Sequence, residues 1–233
     1  MARSRAQLTG IPLGGYGDPL DSRRKHWGRT IFFETWRLLA EGARNHEVLQ
    51  FDGILLVNSK LRMPLFNVAF VRWPLLEAER SIQRVVQHFE TSGVPGLLTF
   101  PPELDPDSQD LVNSMGFETA APHPGMLMYP IGTLGDAPQD VEIRTVEDER
   151  ELEHFLDAAE AGFGNPTPRL LIGDHVVNHP SVSLFVGYVD GAPVATSALV
   201  TTGPVAGIYW VSNPTAGVGI LGLPSPSSCP GLV

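Results

Sequence analysis

Between residues 183 and 212 three β-branched and aromatic runs, SLFVGYV, PVATSALVTT and VAGIYWVS, follow one another with breaks of only two or three residues. A parallel connection needs a crossover of a dozen residues or more. Breaks this short therefore force an antiparallel meander. The first break carries Asp190-Gly191, a pair that tolerates positive φ and so suits a tight hairpin. The second carries Gly203-Pro204. Any fold for this chain has to accommodate that three-stranded sheet.

Upstream of the meander, Val141 to Arg144 reads as a strand. Thr145-Val-Glu-Asp148 resembles a capping box, with Asp in place of the usual Glu or Gln. It predicts a helix running to about Ala161, with Leu152, Phe155, Leu156 and Ala159 on one face. A second helical stretch is expected near Pro168 to Val177.

A separate unit is expected over residues 30–131. The run TIFFETWRLLAE from Thr30 has helical spacing. FDGILLVN (51–58) and PLFNVAFVR (64–72) read as strands bounded by turn residues. Pro74 suits the first turn of an amphipathic helix carrying Leu75, Ile82, Val85, Val86 and Phe89 on one face, with Gly93 as its stop. GLLTF (96–100) reads as a buried strand, residues 107–115 as a short helix, and residues 126–131 as a last strand. Residues 1–29, polar and rich in Gly and Arg, read as a flexible arm. Residues 132–140, aperiodic and rich in Gly, Pro and Asp, read as a linker. Residues 213–233 carry no charge, hold many Gly, Pro and Ser, and show neither period, so they read as an irregular tail.

Charge and composition exclude several functions. The net charge of −10 gives no broad positive field for nucleic acid. The net negative charge is concentrated after residue 140, where 10 acidic residues face 3 basic ones. The single Cys229 allows no internal disulfide and no multi-cysteine zinc site. With no apolar segment near Met1, that fits a cytoplasmic protein. The uncharged stretch from Gly203 to Leu223 is broken by Ser212, Asn213 and Pro214, so it reads as strands and loop rather than a membrane span.

The order of strand, capped helix, second helical stretch and Asp-Gly meander over residues 141–212 resembles the first half of the GCN5-related N-acetyltransferase (GNAT) family. PLFNVAFVR, the helix after it, PGLLTF and Leu111-Val-Asn-Ser-Met-Gly116-Phe117 echo the family's fourth strand, third helix, fifth strand and the close of its fourth helix. The resemblance implies an α/β (α+β) chain of two GNAT-like units, each a mixed, mostly antiparallel sheet flanked by helices. The first unit would be degenerate, because Arg72-Trp-Pro-Leu passes into its helix without a phosphate loop. The implied activity is acetyl transfer from acetyl-CoA to a small-molecule or peptide amine. The implied coenzyme contacts are the backbone of Trp210, Val211 and Ser212 for pantetheine, and Gly217 and Gly219 for the diphosphate. Pro214 stands where the family's loop has Arg or Gln, and 14 residues follow Gly219. A C-terminally truncated or frame-shifted second unit, of impaired activity, is therefore expected. The alternative is a non-catalytic acyl-CoA-binding or interaction remnant. Self-association through the open edge of the fourth strand is expected on either reading.

Other polar groups read as structural before functional. His175 and His179 are four apart, but no Glu follows His175 and Pro180 ends the stretch, so no metal is assigned. Glu147, Asp148 and Glu149 suit a solvated helix start. Arg23, Arg24 and Lys25 suit a solubilising arm. Tyr188 and Tyr209 alternate with apolar neighbours as core or groove-lining residues. Glu160 would by analogy lie near the acceptor channel. Trp27, Trp36, Trp73 and Trp210 are expected to pack, and Cys229 to be incidental. No catalytic acid or base is assigned.

Overall fold

The computed structural model describes residues 7–10, 22–72, 74–100, 106–115, 117–119, 128 and 139–213. The chain divides into two compact units, Met1–Pro130 and Ile131–Val233.

The first unit is built on a six-stranded sheet. In chain order its elements are β1 (Gln7–Gly10), α1 (Ser22–Gly42), β2 (Glu47–Phe51), β3 (Ile54–Asn58), β4 (Asn67–Val71), α2 (Ala78–Ser92), β5 (Leu97–Phe100), α3 (Pro106–Ser114) and β6 (Glu118–Thr119). The strand order is β2-β3-β4-β5-β1-β6. β2, β3 and β4 are antiparallel neighbours, whereas β5 is parallel to β4, with α2 as the crossover between them. The hairpin joining β2 and β3 turns at Asp52 and Gly53, both at positive φ.

Alternation along β3 and β4 supplies both faces of this sheet. Ile54, Leu56, Ala69 and Val71 pack with Ile82, Val85 and Phe89 of α2 and Val112 of α3. The opposite face presents Phe70 to α1, whose Phe33 and Phe32 lie with ring centroids 4.7 and 5.4 Å from it. Each fully buried side chain of this size stabilises the fold by about 1.5–3 kcal/mol. The fully buried Asn67 organises the loop before β4. Its amide donates to the carbonyls of Leu61 (2.7 Å), Met63 (3.1 Å) and Pro95 (2.8 Å), and it accepts from the Ser59 hydroxyl at 3.1 Å.

The second unit is a four-stranded antiparallel sheet. It contains β7 (Glu142–Thr145), α4 (Glu149–Phe163), α5 (Thr167–Leu171), β8 (Val182–Val189), β9 (Ala192–Thr202) and β10 (Val205–Ser212), in strand order β10-β9-β8-β7. Asp190 and Gly191 both take positive φ (50° and 78°), as a type I′ turn requires. At the second turn only Gly203 does, which fits type II′. α4 lies across β8, β9 and β10 and buries Leu152, Phe155, Leu156 and Ala159, while Leu184, Val186, Tyr188, Ala198 and Val200 are the buried hydrophobic side chains of the sheet. The other face of the sheet carries exposed apolar groups, with Ile143 at 60% and Ile208 at 68%.

Several expectations need correction. Within the stretch expected as an arm, residues 7–10 and 22–29 are ordered elements: β1 lies inside the first sheet, parallel to β5 and β6, and α1 begins at Ser22 rather than Thr30. The early turns of α1 are rich in Arg and Lys, good helix formers that leave no apolar period to read. The helix predicted from Pro74 begins one turn later, at Ala78. PLFNVAFVR opens with a 3₁₀ turn over Pro64–Phe66 before its strand. The cap of α4 is Asp148, which accepts from Glu151 N–H at 2.8 Å, and Glu151 in turn accepts from the N–H of Glu147. The acid expected in the fourth position of a box is therefore itself the cap. The stretch 168–177 is not one helix but α5 followed by a 3₁₀ turn at Asp174–Val176. Of the strand expected at 126–131 only Met128 is described, and the tail beyond Asn213 lies outside the described residues.

Candidate functional site

The unusual backbone of the second unit lies at the C-terminal end of β10. Tyr209 pairs with Ala198 and Ser212 with Thr196, so Trp210 and Val211 together oppose the single residue Ser197. This is a β-bulge, and Trp210 sits in it at φ +52°. A bulky side chain in the left-handed region costs about 1–3 kcal/mol, and such residues cluster at functional sites. β10 is also an edge strand: among the described residues it pairs only with β9.

The bulge re-aims side chains. Regular alternation places Gly207 and Tyr209 on the α4 face and Ile208 on the other. After the bulge, Trp210 and Ser212 both come to the α4 side, and Val211 turns outward with 36% exposure. The Trp210 ring meets Phe163, the last residue of α4, edge-on, with centroids 5.5 Å apart and planes at 89°. The Tyr209 ring is folded over Gly207, where an added Cβ would lie 2.5 Å from it.

Three residues hold this geometry. The Thr196 hydroxyl donates to the Trp210 carbonyl at 2.7 Å. Its one proton being used, Thr196 accepts from the Ser212 hydroxyl, also at 2.7 Å; the Ala158 carbonyl is farther from Ser212, at 3.4 Å. Gly162 lets the end of α4 approach the strand end closely. A Cβ there would stand 2.6 Å from the Ser212 Cβ and 3.2 Å from the Asn213 nitrogen. Sequence reasoning missed Thr196, Gly162 and Phe163. Gly162 alone left a signal, as a glycine inside a helical pattern.

Of the five residues assigned to coenzyme contact, Trp210, Val211 and Ser212 are brought together here, with the Ser212 side chain turned inward and 7% exposed. Gly217 and Gly219 lie outside the described residues, as does Cys229. Tyr188 is a core residue, 2% exposed, 2.9 Å from His154 Nδ1, with the Arg144 guanidinium over its ring at 4.7 Å. Burial, followed by the nearby Glu151 carboxylate, raises its phenol above the ordinary value. Glu160 pairs with Arg169 of α5 at 3.3 Å, and Glu153 and Asp157 reach the same guanidinium at 2.7 Å each. The hydrogen bond that Arg169 donates to the Glu153 carboxylate is the main reason its guanidinium is held above its ordinary value.

His175 lies in the 3₁₀ turn and His179 beyond it, where its Nδ1 accepts from Ser181 N–H at 3.1 Å. They do not share a helix face, and among the described residues no group of three or more His, Cys, Asp or Glu side chains could hold a metal ion. Trp36 packs, 9% exposed, and donates its indole N–H to the Leu65 carbonyl at 2.7 Å. No described helix is long and apolar enough to cross a membrane.

No family model matches the chain, and neither does any curated protein. Solved structures do match. One, a GCN5-related N-acetyltransferase from Kribbella flavida, superposes with a TM-score of 0.52 at 16% identity, over 82% of this chain and 73% of its own. That share exceeds what either unit could supply alone, so the likeness draws on both. Another, a conserved protein of unknown function from Staphylococcus epidermidis ATCC 12228, has a TM-score of 0.46 at 14% identity and covers 72% of each chain. The first likeness, taken with the strand, helices and meander of the second unit, shows that the chain has a GNAT-like fold.

Proposed function

We propose that this protein is an acyltransferase that moves an acetyl group from acetyl-CoA to an amine. The observation that carries the reading is the bulge at Trp210–Val211 in a strand that, among the described residues, pairs only with β9. A bulge there breaks the regular ladder at the margin of the sheet, and an extended pantetheine arm would add beside β10 as a further strand. The carbonyl of its thioester would then lie among backbone N–H groups able to stabilise a developing oxyanion. In the reaction the neutral amine forms a C–N bond as the C–S bond breaks. The amine's proton leaves to a base or water, and the thiolate takes up a proton. The acidic balance of residues 141–233 favours an acceptor that arrives as a cation.

Gly217 and Gly219 belong to this proposal as the diphosphate contacts. Replacing both by valine bars close backbone approach and should lower coenzyme affinity at least tenfold. The first unit is assigned no coenzyme, since Glu77 and Glu79 stand at the start of α2, where a phosphate would need to sit.

A second reading, a non-catalytic acyl-CoA-binding or interaction module, is favoured by the exposed Ile143 and Ile208 on the sheet face away from α4. Titration calorimetry with acetyl-CoA, followed by thiol release with a pooled amine panel, separates the two. Binding with thiol release supports the transferase. Binding without it supports the module, and no heat at millimolar acetyl-CoA removes both coenzyme readings. Sedimentation across a concentration series then reports whether copies pair through β10.

A further inference from the structure

We propose that the face of the second sheet turned away from α4 is where two copies of this chain meet, in a two-fold, sheet-on-sheet contact. The inference goes beyond the coenzyme reading and holds with or without it. An antiparallel sheet with one face in water alternates apolar and polar residues along each strand. β8, β9 and β10 break that rule. By the strand register, Ile143, Phe185, Ala195, Leu199 and Ile208 share the face opposite to Leu184, Val186 and Ala198. The bulge adds Val211 to them. Only serine and threonine hydroxyls interrupt this set. The strands thus carry the pattern of a sheet covered on both sides, yet Ile143 is 60% exposed and Ile208 68%.

Charge selects the occupant. The chain carries a net charge of −10, so most contacts between two copies would set acid against acid. This face does not. β8, β9 and β10 contain no charged residue. On β7, alternation turns Glu142 and Arg144 to the α4 side, where Arg144 lies over the Tyr188 ring. A two-fold contact sets a patch against itself, so any charge on it would be doubled. A face without charge is compatible with its own copy and offers a charged partner nothing to pair with. The area is sufficient. The four strands hold 4, 8, 11 and 8 residues. At about 3.3 Å per residue and about 4.8 Å between strands, the face covers roughly 500 Å². Two such faces bury about 1,000 Å² in total, enough for a weak, specific interface. Sheets stacked face to face meet through side chains, so both β10 edges stay open.

The test uses the full chain and no ligand. Sedimentation across a concentration series, at low and high salt, is measured for the wild type, Ile143→Lys, Ile208→Lys and the double variant, with thermal melts as a folding control. Both isoleucines are exposed, so neither substitution hollows the core. Each lysine makes the chain less acidic. Overall repulsion between copies therefore falls, and only burial of the new ammonium opposes pairing. The wild type should dimerise reversibly, and more tightly at high salt, where repulsion between acidic copies is screened. Either lysine should weaken dimerisation at least tenfold, and the double variant further. Ile143→Lys is the sharper variant, because β7 lies at the opposite margin of the sheet from β10. A dimer that both lysines leave intact overturns the proposal and moves the contact to the β10 edge or to the first unit. A wild type that stays monomeric at high concentration also overturns it, and leaves the face to water or to a segment of the same chain.

Discussion

β4 and β10 occupy the same place in their units, each the third strand of an antiparallel meander, yet they end differently. β4 is buried along its whole length and flanked on both sides, by β3 and β5. It pairs with β3 in unbroken register. β10 has a partner on one side only among the described residues, is half exposed, and loses register at Trp210. The lesson is that similar meanders can end in very different edges. A strand flanked on both sides has no backbone groups left for a ligand, whereas a bent strand at the margin of a sheet presents an edge to one.

The comparison can be broken most forcefully in the first unit. Phe70→Ala removes a fully buried ring of β4 and should cost about 3–5 kcal/mol in urea unfolding. Acetyl-CoA affinity, measured well below the melting temperature, should change less than threefold. If binding vanished while the second unit stayed folded, the ligand edge would have to be moved to β4. In the second unit, Gly162→Ala places a Cβ against Ser212. Overpacking of about 1–3 kcal/mol, less the roughly 1 kcal/mol that alanine gains in a helix, leaves a loss of up to about 2 kcal/mol. Coenzyme affinity should fall at least tenfold, since the strand end must shift. Unchanged affinity would detach the bulge from binding. Thr196→Val removes the donor to the Trp210 carbonyl and should cost about 1 kcal/mol, with a several-fold loss of affinity read in the same titration.

The smallest effects separate the two units by pH. Tyr188 is raised in the folded state, so the second unit is fully favoured below the ordinary phenol pKa of about 10 and loses stability as pH rises through the folded value. Tyr188→Phe should remove that alkaline loss from a melting series. Glu47 of the first unit is lowered, chiefly by its hydrogen bond from Lys60. Its contribution is present above the ordinary carboxylate range and disappears as pH falls through the folded value. Glu47 and Lys60 are each about one-third exposed, so Lys60→Met should flatten that acid limb by less than about 1 kcal/mol.

How far all this can be read from the chain alone depends on where the determinants lie. Asp190-Gly191 announces its hairpin because few residues accept two successive positive φ angles. The apolar stripe of α2 announces its buried face through Ile82, Val85 and Phe89. The bulge announces nothing: VAGIYWVS reads as one uninterrupted strand, and a tryptophan is among the last residues expected at positive φ. What holds it there, Thr196, comes from the neighbouring strand and Gly162 from a distant helix. β1 is silent for a similar reason, since a four-residue strand pairing with residues 97–100 has no local pattern of its own. The site residues that could be read were strand residues in a recognisable order, whereas those that shape the site act through tertiary contact.

The junction of α5 with α4 is wired as a hub with three spokes, Arg169 to Glu153, Asp157 and Glu160. Such wiring fails unevenly. Drift at any one acidic position leaves two attachments standing, so the chain can wander there through evolution with little penalty. Drift at the arginine strands three like charges along a single helix stripe with no counter-ion opposite, which makes that position the intolerant one of the four.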